Sequence, residues 1–282
     1  MNESHEELLS IIEQGAVEYY SKYISPDTKN LQKISLDPAE SNYFLLKNFF
    51  YRGRSDELSY RYEKICLEKL REFFGKDFSK WIRTPNWDNL KMELEKPTRL
   101  TKEQFVEKWG KNYFDIFGKP FAIKKEKMGI DVESDRKMIL SFLKFVHKNT
   151  EKFDFNAMLW LQNQIEKGKI IETYDFLKEE IFNVGDKLAA LGIRETMSLY
   201  NMDIETYDDE VAEKLLPIDT QVRKTLGPMG LKWVEKDDDV NQIRRKIIQL
   251  CKNKMSPIRF DQGLWYLAKF HPEKIPKLGD NK

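Results

Sequence analysis

Residues 173–200 read Thr-Tyr-Asp-Phe-Leu-Lys-Glu-Glu-Ile-Phe-Asn-Val-Gly-Asp-Lys-Leu-Ala-Ala-Leu-Gly-Ile-Arg-Glu-Thr-Met-Ser-Leu-Tyr. Phe176, Leu177, Ile181 and Phe182 give the first half an apolar face, and Leu188, Leu191 and Leu199 give the second half another. Asn183-Val184-Gly185 separates them. Asparagine and glycine best tolerate a positive φ, so the stretch predicts a helix, a tight turn with both ends free to go left-handed, and a second helix. Lys187 opens that second helix. A helix start offers backbone N–H groups and a positive dipole end, which hold a phosphate without any net basic charge. Asp186 puts an acid at the same spot. Taken alone, a helix–turn–helix with glycine in the turn is also a generic way to join two helices, so phosphate binding and plain packing both stay open.

The same 3.6-residue period runs outward from this stretch, and period-two alternation is scarce, which predicts an all-α protein. Helices are expected over 41–51, 56–74, 134–149, 154–167, Thr220 to Leu226 and 260–270. Val240, Ile243, Ile247 and Leu250 mark a further amphipathic helix, which Pro257 is expected to stop. Residues 75–130 are looser, punctuated by Pro85, Pro97 and Pro120 and dense in aromatic side chains. Short helices packed on a core suit such a stretch better than a base-stacking platform.

Composition narrows the function classes. The chain has 282 residues, 40% hydrophobic and 34% charged, enough for one large domain or two small ones. It has no apolar run of bilayer length and no apolar signal core, so an intracellular protein without a membrane partner is expected. Two cysteines, Cys66 and Cys251, exclude a disulfide framework and a four-cysteine iron–sulfur cluster. Three scattered histidines argue against zinc. Net charge is only +1, but its distribution is uneven. Arg244, Arg245, Lys246, Lys252, Lys254 and Arg259 occur between residues 241 and 259 with no acid among them. Residues 1–20 carry five glutamates and no lysine or arginine. Such asymmetry marks either a phosphate-facing surface or a solvated helix face.

Lys187 and Asp219 are the residues with chemistry in reach. An amine that attacks a deoxyribose C1′ must be neutral, and a partly buried helix start lowers a lysine's pKa by desolvation and the dipole. A carboxylate nearby aligns the amine and stabilises an oxocarbenium-like sugar. Asp219 follows Leu216-Pro217-Ile218 and precedes the helix from Thr220, so it is also an N-cap by position.

Two segments carry a family resemblance. Pro217-Ile218-Asp219-Thr220-Gln221-Val222 looks like the Pro-Val-Asp-x-x-Val segment of the helix–hairpin–helix DNA glycosylases. Val184-Gly185-Asp186-Lys187-Leu188-Ala189 resembles the hairpin and lysine of their bifunctional branch. The 32-position gap from Lys187 to Asp219 resembles that of the archaeal 8-oxoguanine DNA glycosylases. Phe260-Asp261-Gln262-Gly263-Leu264-Trp265 is similar to the Leu-Asp-x-x-Leu-Trp segment of that family's base pocket, and Tyr60 lies near a position of one of its pocket aromatics. The match covers residues 173–270. The first hairpin glycine of the family is Asn183 here, and residues 75–130 look like an insertion.

The resemblance implies a two-lobed helical fold with a cleft between the lobes. One lobe is expected to comprise residues 1–55 with 218–282, the other 56–217. It implies removal of an oxidised purine, 8-oxoguanine, from double-stranded DNA by a monomer that needs no cofactor or metal, followed by strand cleavage as an AP lyase. Lys187 and Asp219 would be catalytic. Asp261, Trp265 and Tyr60 would form the base pocket, and Asn183, Gly185, Arg223, Arg244 and Arg245 would hold the DNA backbone. A non-catalytic hairpin DNA-binding protein, and a glycosylase for another lesion, are the alternatives.

Overall fold

The computed structural model describes residues 3–28, 30–52, 54–75, 77–124, 128–202, 209–218, 220–227 and 239–275. Among them the regular structure is entirely helical, with no strand. The fold is all-α, as the periodicity predicts. No described helix is long and apolar enough to cross a membrane. The chain divides into two compact units, Met1–Lys29 with Ile193–Lys282, and Asn30–Gly192.

The unit Asn30–Gly192 starts from the helix Pro38–Asn48. Asp37 caps it by accepting from the N–H groups of Ala39 and Glu40, and Pro38 sits at its first position, where a missing N–H costs nothing. Tyr43, Phe44, Leu45 and Leu46 are all buried, and the helix packs on Ala157–Glu166. Asn42 locks that contact: its side chain donates to the Phe155 carbonyl at 2.5 Å and accepts from the Ala157 N–H at 3.3 Å. The helix Asp56–Phe74 follows, capped by Ser55. Asp135, fully buried, accepts from both Arg52 and Arg54, so its charge is paired where an unpaired one would be costly.

Residues 75–130 are organised rather than loose. They hold the helices Phe78–Arg83, Trp87–Glu95 and Lys102–Phe117. Asn86 caps the second, and a reciprocal Thr101–Gln104 capping box starts the third. Their aromatic residues pack on one another. Phe74, Phe78, Trp81 and Trp87 form an edge-to-face chain, and Tyr60, Tyr113, Phe117 and Phe121 form a second cluster.

The other unit is built on the crossing of Glu3–Tyr19 with Pro257–Phe270. Glycine allows this crossing. A Cβ on Gly263 would lie 2.0 Å from the Ile12 carbonyl oxygen, and one on Gly15 would lie 2.7 Å from the Gly263 carbonyl oxygen. With both absent, Leu8, Ile12, Leu264 and Leu267 join Val222, Leu226, Ile243 and Ile247 in one buried core. Contrary to the expectation, Pro257 does not stop the preceding helix, Val240–Cys251, which ends six residues before it. It is the first residue of the next, behind the N-cap Ser256.

The unit borders differ from the expected 1–55 with 218–282 and 56–217. Residues 30–55 belong with the unit Asn30–Gly192 because Asn42, Arg52 and Arg54 bond into it. Residues from Ile193 onward belong with the chain ends because Arg194 and Glu195 bond to Asp261 and Tyr19.

Candidate functional site

The hairpin forms as a helix Ile170–Glu180, a turn, and a helix Asp186–Leu199. Ile181 and Val184 are buried and pin the turn, and the Val184 N–H donates to the Ile181 carbonyl at 3.1 Å. Asn183 carries the left-handed residue at φ +63°. Gly185 does not: its φ lies outside the left-handed range, which corrects the expectation that both ends of the turn use it. Its carbonyl accepts from Leu188 and Ala189, both at 3.0 Å, so Gly185 is the cap residue of the second helix. A Cβ added there would meet no atom within 4 Å.

Lys187 stands on the first turn, half-buried. The neighbouring acid, Asp186, pairs with Lys178 of the preceding helix at 2.6 Å, which offsets its negative charge at the helix start. Along the second helix Lys187, Leu191, Arg194 and Ser198 recur at intervals of four, three and four residues, one face of the helix.

Asp261 and Trp265 lie one turn apart on Pro257–Phe270. Asp261 is 2% exposed. It accepts from the Arg194 guanidinium at 2.5 Å, and the same guanidinium donates to Glu195 at 3.2 Å. The Tyr19 hydroxyl donates to the same Glu195 oxygen at 2.8 Å. Gln262 bonds Ser198. Burial pushes the Tyr19 hydroxyl well above its ordinary range, with Glu195 adding to the effect. Burial opposes the charge on Arg194, but Tyr19, Glu195 and Asp261 together hold its proton more firmly than in water. Trp265 is half-buried, edge-on to Tyr19, Tyr23 and Phe270 with ring centroids 5.7–6.1 Å away. The first helix widens into a π-helical turn, Tyr20–Ile24, where Tyr23 joins this cluster.

The remaining predicted residues fall as follows. Tyr60 belongs to the unit Asn30–Gly192, is 2% exposed, and hydrogen-bonds Asn112 within its ring cluster. Arg223 is half-buried on the helix Thr220–Leu226. Arg244 donates to the Leu216 carbonyl at 2.9 Å, and Arg245 pairs with Glu213. Asp219 lies outside the described residues. Much of the charge asymmetry is answered within the unit: Lys254 pairs with Glu6, and Arg259 with Glu13. Arg194, whose side chain organises Asp261, was not among the residues singled out by sequence. The signal was a charged Arg194-Glu195 pair inside the otherwise apolar run 188–199.

Cys66 and Cys251 are buried, and burial raises both thiols, so neither is a ready nucleophile. Among the described residues no group of three or more His, Cys, Asp or Glu side chains could hold a metal ion. Compared with known proteins, the chain matches no family model, no curated protein and no solved structure.

Proposed function

We propose that this chain is a helix–hairpin–helix DNA glycosylase that removes an oxidised purine, 8-oxoguanine, and cleaves the strand as an AP lyase. Gly185 is the observation that carries the reading. Its φ does not demand glycine and no neighbour would touch a Cβ there. What favours glycine is then approach from outside, and the cap of a helix is where a phosphate approaches. Asn183 supplies the left-handed turn that aims this helix start, and Lys178 neutralises Asp186 beside it.

Lys187, two residues on, is the nucleophile of this reading. Its neutral amine forms a bond to C1′ as the bond to the base breaks, and the base leaves with the electron pair and gains a proton. Opening of the sugar gives an imine. Loss of a C2′ proton then expels the 3′-phosphate. Asp219 would align the amine and stabilise the positive sugar. Arg244, rather than gripping phosphate, would steady the chain three residues before Asp219 through its bond to the Leu216 carbonyl.

The test is borohydride trapping on duplexes carrying one lesion each. The reading expects a covalent adduct with 8-oxoguanine DNA that disappears in Lys187→Gln while the variant still binds the duplex. No adduct with any lesion sinks the catalytic assignment. A non-catalytic DNA-binding hairpin is the second reading, and Asp261 favours it. At 2% exposure and bonded to Arg194, its carboxylate is engaged inside the protein rather than presented to a base.

A further inference from the structure

A groove of about 650 Å³ lies within the unit Asn30–Gly192, between the helix Glu133–Lys148, Trp87 and the hairpin turn. Lys137, Ser141, Lys144 and Lys148 line it at intervals of four, three and four residues, a stripe along one helix face. The successive lysines stand about 10 Å and about 6 Å apart along the axis. Trp87 and Phe182 are among the aromatic side chains of the lining. Lys144 sits over the Trp87 ring, 5.7 Å from its centroid. Phe182, in the hairpin turn, is 46% exposed although Ile181 and Val184 beside it are buried. Its backbone is anchored to the groove helix, because its N–H donates to the Ser141 hydroxyl at 2.8 Å. His147 meets the Trp87 ring edge-on at 5.9 Å and has Nδ1 2.7 Å from the Ile82 carbonyl. A carbonyl only accepts, so Nδ1 carries the proton.

We infer that this groove binds a single-stranded DNA segment, its bases against Phe182 and Trp87 and its phosphates along the lysine stripe. Three lysines against the one lining acid, Glu180, leave a net positive wall. Their ion pairs, Lys137 with Glu133 and Lys148 with Glu180, are surface pairs that a phosphate displaces at little cost. An apolar protein partner would cover Phe182 but strand the lysines without counter-charge. Duplex DNA would satisfy the lysines but hide its base faces. An unpaired strand uses both, since every base has a π-face to stack. This inference rests on the reading that the hairpin lies on DNA, because Phe182 belongs to both.

The experiment is fluorescence anisotropy with labelled octathymidylate, using the full chain, Phe182→Ala and Lys144→Glu. A lesion-bearing duplex with sealed ends and a phosphotyrosine peptide run in parallel. Both groove side chains are exposed, so unchanged circular dichroism and melting temperature are expected for their variants. Octathymidylate should bind, with affinity falling about ten-fold or more in Phe182→Ala and Lys144→Glu. The log–log salt slope should be near −2 for three phosphate contacts and shallower in Lys144→Glu. Groove variants that leave octathymidylate binding intact, no binding by the parent chain, or preference for the phosphopeptide each overturn the inference. Octathymidylate binding that depends on the groove, without duplex binding, supports the groove and removes the hairpin reading instead.

Discussion

Gly185→Ala separates a glycine kept for DNA from one kept for the fold. The position caps the second hairpin helix, its φ is not left-handed, and a Cβ there meets nothing within 4 Å. Alanine has fewer unfolded conformations to lose, which contributes about 0.4–1 kcal/mol of stability. It is also a poorer cap than glycine, by on the order of 0.5–1 kcal/mol. The two effects offset, so melting should shift by no more than about 2 °C. On DNA the new methyl lies where a phosphate oxygen must approach the first turn. Loss of one charge-assisted hydrogen bond, worth about 1.5–3 kcal/mol, weakens duplex binding at least about ten-fold. Thermal melting by circular dichroism and anisotropy on a lesion duplex, at one fixed salt concentration, measure both. Unchanged affinity would refute the phosphate argument. A melting drop of many degrees would show that the glycine serves the fold.

Lys187→Arg should give no borohydride adduct, because a guanidinium stays protonated and cannot attack; an adduct in this variant would remove Lys187 as nucleophile. Gly263→Ala should destabilise its unit by about 1–3 kcal/mol or more, since its Cβ would lie 2.0 Å from the Ile12 carbonyl oxygen; urea unfolding at parental midpoint would contradict the crossing. Asp261→Asn should cost about 3–5 kcal/mol by breaking the buried pair with Arg194. If it melts like the parent but loses preference for 8-oxoguanine over guanine, Asp261 reads the base after all. Burial lifts the hydroxyls of Tyr19, Tyr43 and Tyr60 well above the ordinary 10.0. The folded state therefore keeps protons that the unfolded state gives up, so stability is full below about pH 10 and falls above it. A melting temperature constant from pH 9 to 11.5 would contradict this.

Local signals made much of the fold legible. The amphipathic run 56–74 gave the helix Asp56–Phe74 at its observed ends, and Asn183 gave the left-handed turn. Short helices were expected in residues 75–130, but the 16-residue helix Lys102–Phe117 was not, although its capping box, Thr101 with Gln104, stood in the sequence. Pro257 was misread as a stop because a missing N–H suits the start of a helix as well as the residues beyond its end. Partners distant in sequence were not legible at all. Nothing local to Asp261 announces Arg194, 67 residues away, and nothing near Tyr19 announces Glu195. The lysine stripe 137–148 was readable by spacing, but the helix was read only for its inward face.

The crossing at Gly15 and Gly263 also sets an order of assembly. Its two helices are separated by the whole of Asn30–Gly192, so the first helix reaches its partner only after nearly all the chain exists. At about 5–20 residues per second, some 250 residues take roughly ten to fifty seconds to synthesise. During that interval the Leu8 and Ile12 face has none of the surface it later covers on Pro257–Phe270, while Asn30–Gly192 holds most of its own contacts within itself. That intervening unit can fold first, which leaves less free chain in the loop to be closed. The helix Glu3–Tyr19 therefore waits with its apolar face uncovered. Mutations that slow folding of Asn30–Gly192 should show up as aggregation through residues outside it.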